Sequence, residues 1–170
     1  MDSRRCARLL ALVCGSIVTI LLVAQGALAA NAQGVYGYWK SLDKETGKPQ
    51  SIFELYADGD KLAGKIVKIF PKPGEKHDPI CRECSGNQKD QPKVGLVFLH
   101  DFVRVKDKPR KWVDGKLLNP ENGKTYGAEV ELSEDGSKLN VYGYIRILFK
   151  IGGTNVWVRP SAEELQNLSD

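Results

Sequence analysis

The sequence predicts an all-β protein: an eight-stranded antiparallel up-and-down barrel with a short C-terminal helix, preceded by a cleavable signal peptide. Short segments rich in Val, Ile, Tyr and Phe alternate between apolar and polar residues with period two, as half-buried strands do. Turn dipeptides separate several of these segments. Eight such strands, each with one apolar face, must stack as two sheets or close on themselves to remove their edges. Closure at this strand number leaves an interior that side chains nearly fill or that holds one small ligand.

The first 29 residues have the pattern of a secretory signal peptide. Arg4, Arg5 and Arg8 precede an apolar run over residues 9–23, and Ala27–Ala30 provide a small-residue cleavage site. The alternative is an uncleaved membrane anchor, but the run is shorter than the ~20 residues of a spanning helix. We therefore expect export to the periplasm or beyond, a mature chain without a transmembrane segment, and one barrel domain over residues 30–170.

The charge balance of the mature chain argues against a nucleic-acid partner. Of 25 basic and 21 acidic residues, three and one lie in the first 30 positions, which leaves 22 and 20 and a net charge of +2. Proteins that bind nucleic acids carry a clustered excess of positive charge. The interspersed charges are typical of a solvated outer surface.

The strands and the turns between them can be placed in order. The predicted strands are residues 35–41, 50–56, 61–69, 95–105, 112–118, 125–132, 138–145 and 154–159. Alternation is clearest in the sixth, where Tyr126, Ala128, Val130 and Leu132 share one face. The hairpin signals are Asp58–Gly59, Asp114–Gly115, Asn122–Gly123 and Asp135–Gly136.

The two ends of the barrel sequence fit together as a closure. Gly37 and Trp39 lie on the same face of the first strand because side chains alternate. The planar guanidinium of Arg159, at the end of the last strand, can stack on that indole and seal one end of the barrel. After it, Ser161 and Glu164 have capping-box spacing, which predicts a short helix.

One long irregular segment, residues 70–93, contains Cys81 and Cys84. A loop of this length in a compact domain is usually functional or tied down. The flanking residues are those of a loop, and export favours oxidation, so a structural disulfide is the first interpretation. A catalytic dithiol and a metal site that also uses His77 remain alternatives, although a fourth zinc ligand is missing nearby.

Catalytic motifs are absent from the sequence. It contains no Gly-x-Ser-x-Gly elbow and no P-loop, and its two histidines are His77 and His100. Carboxylates such as Asp101 and Glu121 lie near turns, where capping explains them. We therefore predict a protein that is not an enzyme, with no catalytic residues, no resident metal and no cofactor.

Several motifs together resemble the exported bacterial domain family of unknown function numbered 2147. They are Gly37–Trp39, Gly64–Ile66, Cys81 and Cys84 with Gly86, Pro92 with Gly95 and Leu96, Asn119–Tyr126, Gly143–Ile145, and Trp157 with Arg159. The resemblance covers essentially the whole mature chain and implies a lipocalin-like, calycin-type barrel outside the cytoplasm. It implies no biochemical activity.

The leading hypothesis is a non-enzymatic exported protein that binds a small hydrophobic or amphipathic ligand in the barrel mouth. The expected cavity lining is Phe53, Leu55, Val97, Leu99, Val130 and Val141. One alternative is a structural or interaction module of the cell envelope with a filled barrel. Another is a periplasmic redox or metal protein that uses Cys81 and Cys84. The sequence does not identify protein partners.

Overall fold

The computed structural model describes residues 34–72, 74 and 78–168. The expected signal peptide, its cleavage site and His77 lie outside these residues. Within them, no helix has the length and apolar character needed to cross a membrane.

Eight antiparallel strands form one closed barrel, and each strand pairs with the next in the chain. Their bounds are β1 Gly37–Leu42, β2 Pro49–Asp58, β3 Lys61–Ile69, β4 Val97–Arg104, β5 Lys111–Asn119, β6 Lys124–Leu132, β7 Lys138–Arg146 and β8 Lys150–Val158. The pairs Lys40–Val158 and Ser41–Trp157 join β1 to β8 and close the cylinder. The predicted all-β class and the eight-stranded up-and-down barrel are confirmed.

The up-and-down order places the connections alternately at the two ends of the barrel. The β1–β2, β3–β4, β5–β6 and β7–β8 connections surround one end, which we call the mouth. The chain segment before β1, the β2–β3, β4–β5 and β6–β7 turns and the end of β8 surround the other, which we call the closed end.

The last strand is longer than the sequence pattern predicts. It begins at Lys150 rather than Thr154, and it pairs with β7 from Arg146–Lys150 to Lys138–Val158. The added residues include Gly152 and are exposed, so they show none of the apolar alternation that marks a half-buried strand.

One predicted turn is wrong. Asp114–Gly115 lies inside β5, where Asp114 has a φ of 58° and the register with β6 shifts. The dipeptide therefore marks a β-bulge. A residue that tolerates positive φ, here Asp114, can occur in a bulge within a strand as well as in a hairpin turn. Gly115 leaves room for the Phe102 ring, which would overlap a β-carbon at this position. The other three dipeptides lie in turns between consecutive strands, as predicted.

The C-terminal helix, α1, spans Ala162–Gln166 and begins with the predicted capping box of Ser161 and Glu164. Burial raises the pKa of Glu164, but hydrogen bonds from Lys40 and from the Ser161 backbone outweigh it, so the net pKa is lowered.

Two basic side chains attach α1 to the outer wall. Lys40 Nζ lies 2.7 Å from Glu164, and Lys68 Nζ donates to the Asn167 carbonyl at 2.6 Å. Lys40 and Lys68 are the cross-strand partners of Ile52, which is fully buried. The two contacts therefore flank Ile52, which faces outwards from the barrel, and they hold α1 where it shields this side chain from water.

Candidate functional site

The closed end is sealed by Arg159. Its guanidinium carbon lies 3.7 Å from the centroid of the Trp39 ring. Its two terminal nitrogens donate to the carbonyl oxygens of Gly34 at 2.6 Å, Tyr36 at 3.1 Å and Tyr38 at 3.2 Å. Burial lowers the pKa of Arg159. The stack and the three hydrogen bonds tie the segment before β1 across the base of the barrel.

Two neighbours complete this closure. The indole nitrogen of Trp39 donates to the Val35 carbonyl at 2.7 Å, so the ring is fully buried with its polar atom satisfied. Gly37 has a φ of 95°, a conformation that favours glycine, and lies beside Arg159 Nη1. The three residues that the sequence indicated for closure thus meet at one place.

Above the closure, side chains fill the middle of the barrel. The buried residues there include Leu55, Leu62, Leu99, Phe102, Val130, Leu139 and Val141. The row of cross-strand partners Leu55, Gly64 and Leu99 is tight, because a β-carbon on Gly64 would lie within 3.4 Å of both leucines. The middle of the barrel is therefore a packed core.

An open cavity of about 760 Å³ lies above this core, at the mouth. Its floor consists of three aromatic rings. The Phe53 ring lies 4.7 Å from Phe98 and 4.4 Å from Trp157, and Phe98 lies 6.0 Å from Trp157, all between ring centroids. The apolar walls include Leu42, Ile66, Ile69, Leu117, Leu118 and Val156.

Two small residues help to leave this cavity open. Ser41 and Ser51 are cross-strand partners, and both line the cavity. On either side of them, Ser41 pairs with Trp157 and Ser51 pairs with Ile69. Larger side chains at the two serines would occupy space above the aromatic floor, as they do deeper in the barrel.

Asp43 organises the polar rim. Its carboxylate accepts hydrogen bonds from the Thr46 backbone at 2.9 Å and from Gln50 at 3.2 Å, and it pairs with Lys72 at 3.1 Å. The pKa of Asp43 is well below its ordinary value, chiefly because of the Thr46 backbone N–H and then Lys72. Lys44, Asp78 and Glu121 add further charge to the rim.

The β3–β4 connection forms one side of the mouth and contains the disulfide between Cys81 and Cys84. Both cysteines are buried. This segment packs on the β5–β6 turn so closely that a β-carbon on Gly123 would overlap the Glu83 carbonyl. Lys93 is also buried and pairs with Glu121 at 2.7 Å. The disulfide therefore belongs to a loop that is fixed to the barrel rim.

The structure places the six expected lining residues in three environments. Phe53 lies in the cavity floor. Leu55, Leu99, Val130 and Val141 do not line the cavity, because they are packed in the core beneath it. Val97 is 36% exposed and also lies outside the cavity wall.

Trp157 is a floor residue that the sequence did not indicate as cavity lining, and Phe98 lies in the floor where its neighbours Val97 and Leu99 were expected. Strict alternation puts Phe98 on the face opposite to Val97 and Leu99, yet Phe98 and Leu99 are both buried. The β3–β4 register shifts twice near Gly64, and such irregularities break the period-two pattern. Trp157 lies on the same face of its strand as Arg159, so the sequence indicates that its side chain points into the barrel. The sequence does not indicate whether the ring lies near the mouth or near the closed end.

The described part of the chain offers no cluster of metal-ligating side chains. Within it, no group of three or more His, Cys, Asp or Glu residues is arranged to hold a metal ion. His100 lies on β4 with its Nδ1 2.8 Å from Asp101, which also pairs with Lys61 at 2.8 Å. These side chains are partly exposed and form a surface ion-pair group.

A second depression, of about 500 Å³, lies between β5, β6 and β7. Its lining includes Lys116, Tyr126, Tyr144 and Arg146, and among the described lining residues Ile145 is the only one with an aliphatic side chain. It therefore lacks the apolar floor that the mouth cavity has.

Comparisons with known proteins agree with this architecture. A similar solved structure is described as "Protein HP1028 from the human pathogen Helicobacter pylori belongs to the lipocalin family", with a TM-score of 0.63 and 24% identity over 79% of this chain and 88% of that chain. A likeness at this identity shows the fold alone. No curated protein matches the chain. The family model DUF2147, described as "Uncharacterized protein conserved in bacteria", matches residues 37–159. Because this match extends from the first strand of the barrel to the arginine that closes it, the chain belongs to the DUF2147 family and has a lipocalin-like barrel.

Proposed function

We propose that this protein is an exported binding protein, without enzymatic activity, that holds a small hydrophobic or amphipathic molecule in the mouth of its barrel. The observation that carries the proposal is the open cavity of about 760 Å³ above the rings of Phe53, Phe98 and Trp157. Ligand sites are typically concave, about 300–1,000 Å³ in volume, and mostly apolar with a few polar groups.

The distribution of apolar and polar residues supports an amphipathic ligand. Its apolar part would lie on the aromatic floor, where burying about 200 Å² of apolar surface contributes about 5 kcal/mol. Its polar group would lie at the rim, near Lys44, Gln50 and Lys72. The rim carries both signs of charge, which suits a group that accepts and donates hydrogen bonds.

The state of the rim carboxylate supports binding rather than catalysis. Asp43 is engaged by the Thr46 backbone, Gln50 and Lys72, and its pKa is lowered. A general acid or base works best with a pKa near the operating pH, so Asp43 has the properties of a structural hydrogen-bond acceptor.

A fluorescent apolar probe tests the proposal. N-phenyl-1-naphthylamine should become bright when mixed with the wild-type protein, and a long-chain fatty acid should displace it. Ser51→Trp would fill the space above the floor, so the probe affinity should fall at least about tenfold, a loss of about 1.4 kcal/mol. Native mass spectrometry of protein purified without detergent should detect a bound apolar molecule.

The matched control is Ser137→Trp, which places the same side chain in the β6–β7 turn at the closed end. This variant should bind the probe like the wild type. Equal affinity of the Ser51→Trp and Ser137→Trp variants, or no probe binding by the wild type, would contradict a ligand site in the mouth.

Export is the second part of the proposal, and the N-terminal sequence supports it. Three arginines, an apolar run and Ala27–Ala30 form the order expected of a secretory signal. N-terminal sequencing of the protein recovered outside the cytoplasm should give a chain that starts near Ala30. Recovery only of chains that begin at Met1, inside the cytoplasm, would contradict export.

A further inference from the structure

The β7–β8 hairpin projects beyond the mouth of the barrel. β8 pairs with β1 only at Val158 and Trp157, whereas its pairing with β7 continues to Lys150. On the other side, the pairing of β7 with β6 ends at Tyr144. Beyond Tyr144 the hairpin is therefore a two-stranded ribbon, formed by the pairs Ile145–Ile151 and Arg146–Lys150 and the turn between them.

The tip of this ribbon is apolar and exposed. Ile147, Leu148 and Phe149 form the turn, and they are 72%, 92% and 66% exposed. Behind them the cross-strand partners Ile145 and Ile151 are each about half exposed. Scattered exposed apolar residues are normal on a protein surface, but a contiguous apolar patch marks an interaction site.

All charged side chains in the sequence of the hairpin are positive. No Asp or Glu occurs from Ser137 to Ala162. Arg146 and Lys150 are cross-strand partners directly behind the tip, and both lie over the Tyr144 ring, at 5.8 and 4.6 Å from its centroid. Lys150 also pairs with Glu129 of β6.

The order of these groups matches that of a membrane surface. Apolar side chains come first, and two cations follow at the depth of lipid phosphates. Positive charge complements anionic lipid headgroups. We propose that the tip formed by Ile147, Leu148 and Phe149 inserts into the surface of an anionic lipid bilayer and docks the barrel there.

The shape of the hairpin favours a bilayer over a protein partner. A stable protein interface buries about 800 Å² on each side and involves about 20 residues or more. A three-residue apolar tip on a narrow ribbon offers much less than that. A bilayer needs no complementary surface, because lipid tails rearrange around an inserted side chain.

Docking in this way would place the mouth next to the membrane. β8 runs from the tip to the cavity wall, where Thr154, Asn155, Val156 and Trp157 line the cavity. An apolar ligand could then pass between bilayer and cavity along this strand. That extension rests on the proposed binding function, whereas docking itself does not.

Vesicle flotation tests the docking. The wild-type protein should float with vesicles of phosphatidylethanolamine and phosphatidylglycerol, and less with vesicles of phosphatidylcholine or in high salt. Leu148→Asp should reduce the apparent affinity at least about tenfold, because it removes an inserted leucine and adds a charge that lipid repels. The control Val103→Asp makes a comparable change at an exposed residue of β4 near the closed end and should float like the wild type.

A second measurement locates the inserted residue. Leu148→Trp should be quenched by brominated lipids in the vesicles, beyond the quenching of the wild-type tryptophans, and Val103→Trp should not. All variants carry the same N-terminus, so any contribution of that segment to lipid binding is the same in each. Differences in flotation or quenching between variants therefore report the contribution of the hairpin. Equal flotation of the Leu148→Asp variant and the wild type, or no flotation of the wild type, would overturn the proposal. So would a lipid-free dimer that Leu148→Asp dissociates, because the tip would then bind a second copy of the chain.

The two proposals fail separately. The naphthylamine probe is measured without vesicles, so a protein that binds the probe but not vesicles contradicts docking only. A protein that floats with vesicles but binds no probe contradicts the cavity ligand only.

Discussion

Replacing Arg159 by alanine should destabilise the barrel more than any comparable change at a surface arginine. The side chain stacks on Trp39, and its described hydrogen bonds include those to the carbonyls of Gly34, Tyr36 and Tyr38. The partly buried hydrogen bond to Tyr38 contributes about 1.5 kcal/mol and each of the two exposed ones about 0.5 kcal/mol. The stack adds about 1–2 kcal/mol. The expected loss in the free energy of unfolding is therefore about 4 kcal/mol, from a total of about 5–15 kcal/mol.

Urea unfolding followed by tryptophan fluorescence measures this loss, and thermal unfolding should show a fall in Tm of about 10 °C. Arg159→Lys keeps the charge but loses the planar fork, so it should cost about half as much. The control is Arg104→Ala. The Arg104 guanidinium lies 5.7 Å from the Trp112 ring and its Nε donates to the Pro109 carbonyl at 3.0 Å, both on an exposed surface, so its loss should cost about 1–1.5 kcal/mol. If Arg159→Ala cost no more than Arg104→Ala, the closure would not hold the barrel as described.

Three further predictions concern the loop, the disulfide and pH. Gly123→Ala should lower the free energy of unfolding by at least about 2 kcal/mol more than Gly47→Ala. Both glycines have positive φ, but only at Gly123 would a β-carbon overlap another backbone segment. Equal losses in urea unfolding would argue against close packing of the β3–β4 connection on the β5–β6 turn. Replacing Cys81 and Cys84 by serine should cost about 2 kcal/mol and leave probe binding in place; lost function with unchanged stability would favour a redox role. Hydrogen bonds from Ser133 and Ser137 lower the pKa of Asp135 to about 2. The ionised carboxylate therefore stabilises the fold at pH values above its ordinary pKa, and this contribution is lost as the pH falls towards 2. An NMR titration should show a higher Asp135 pKa in the Ser133→Ala variant than in the wild type, and an unchanged value would contradict the assignment.

The fold was predictable from the sequence because its signals are local. The predicted strands show apolar alternation or an apolar run, and the turns at Gly59, Gly123 and Gly136 use residues that tolerate positive φ. Residues in contact at the closure, Trp39 and Arg159, are distant in sequence. Their pairing was still predictable, because the first and last strands of a closed barrel must be neighbours.

The site was less predictable because its depth in the barrel depends on register. Alternation indicates that Leu55 and Val130 face inwards, but not that they lie below the open part of the barrel. A bulge at Asp114 and shifts near Gly64 alter which residues share a level. The small pair Ser41 and Ser51 was the available signal, since two inward-facing serines on adjacent strands leave space that a packed core would fill.

The β7–β8 hairpin was hidden for a related reason. Its outer half lacks a buried face, so its residues follow no core-directed alternation, and Gly152 and Gly153 interrupt the pattern. The apolar run over Ile147–Phe149 reads as a core segment in sequence, whereas the structure exposes it at a turn.

A crystal structure of the exported protein grown with a long-chain fatty acid tests the central claim most directly. The account predicts electron density for the acyl chain above the rings of Phe53, Phe98 and Trp157, with the carboxylate at the rim near Lys44 or Lys72. An empty mouth at saturating fatty acid, or density only outside the barrel, would contradict it.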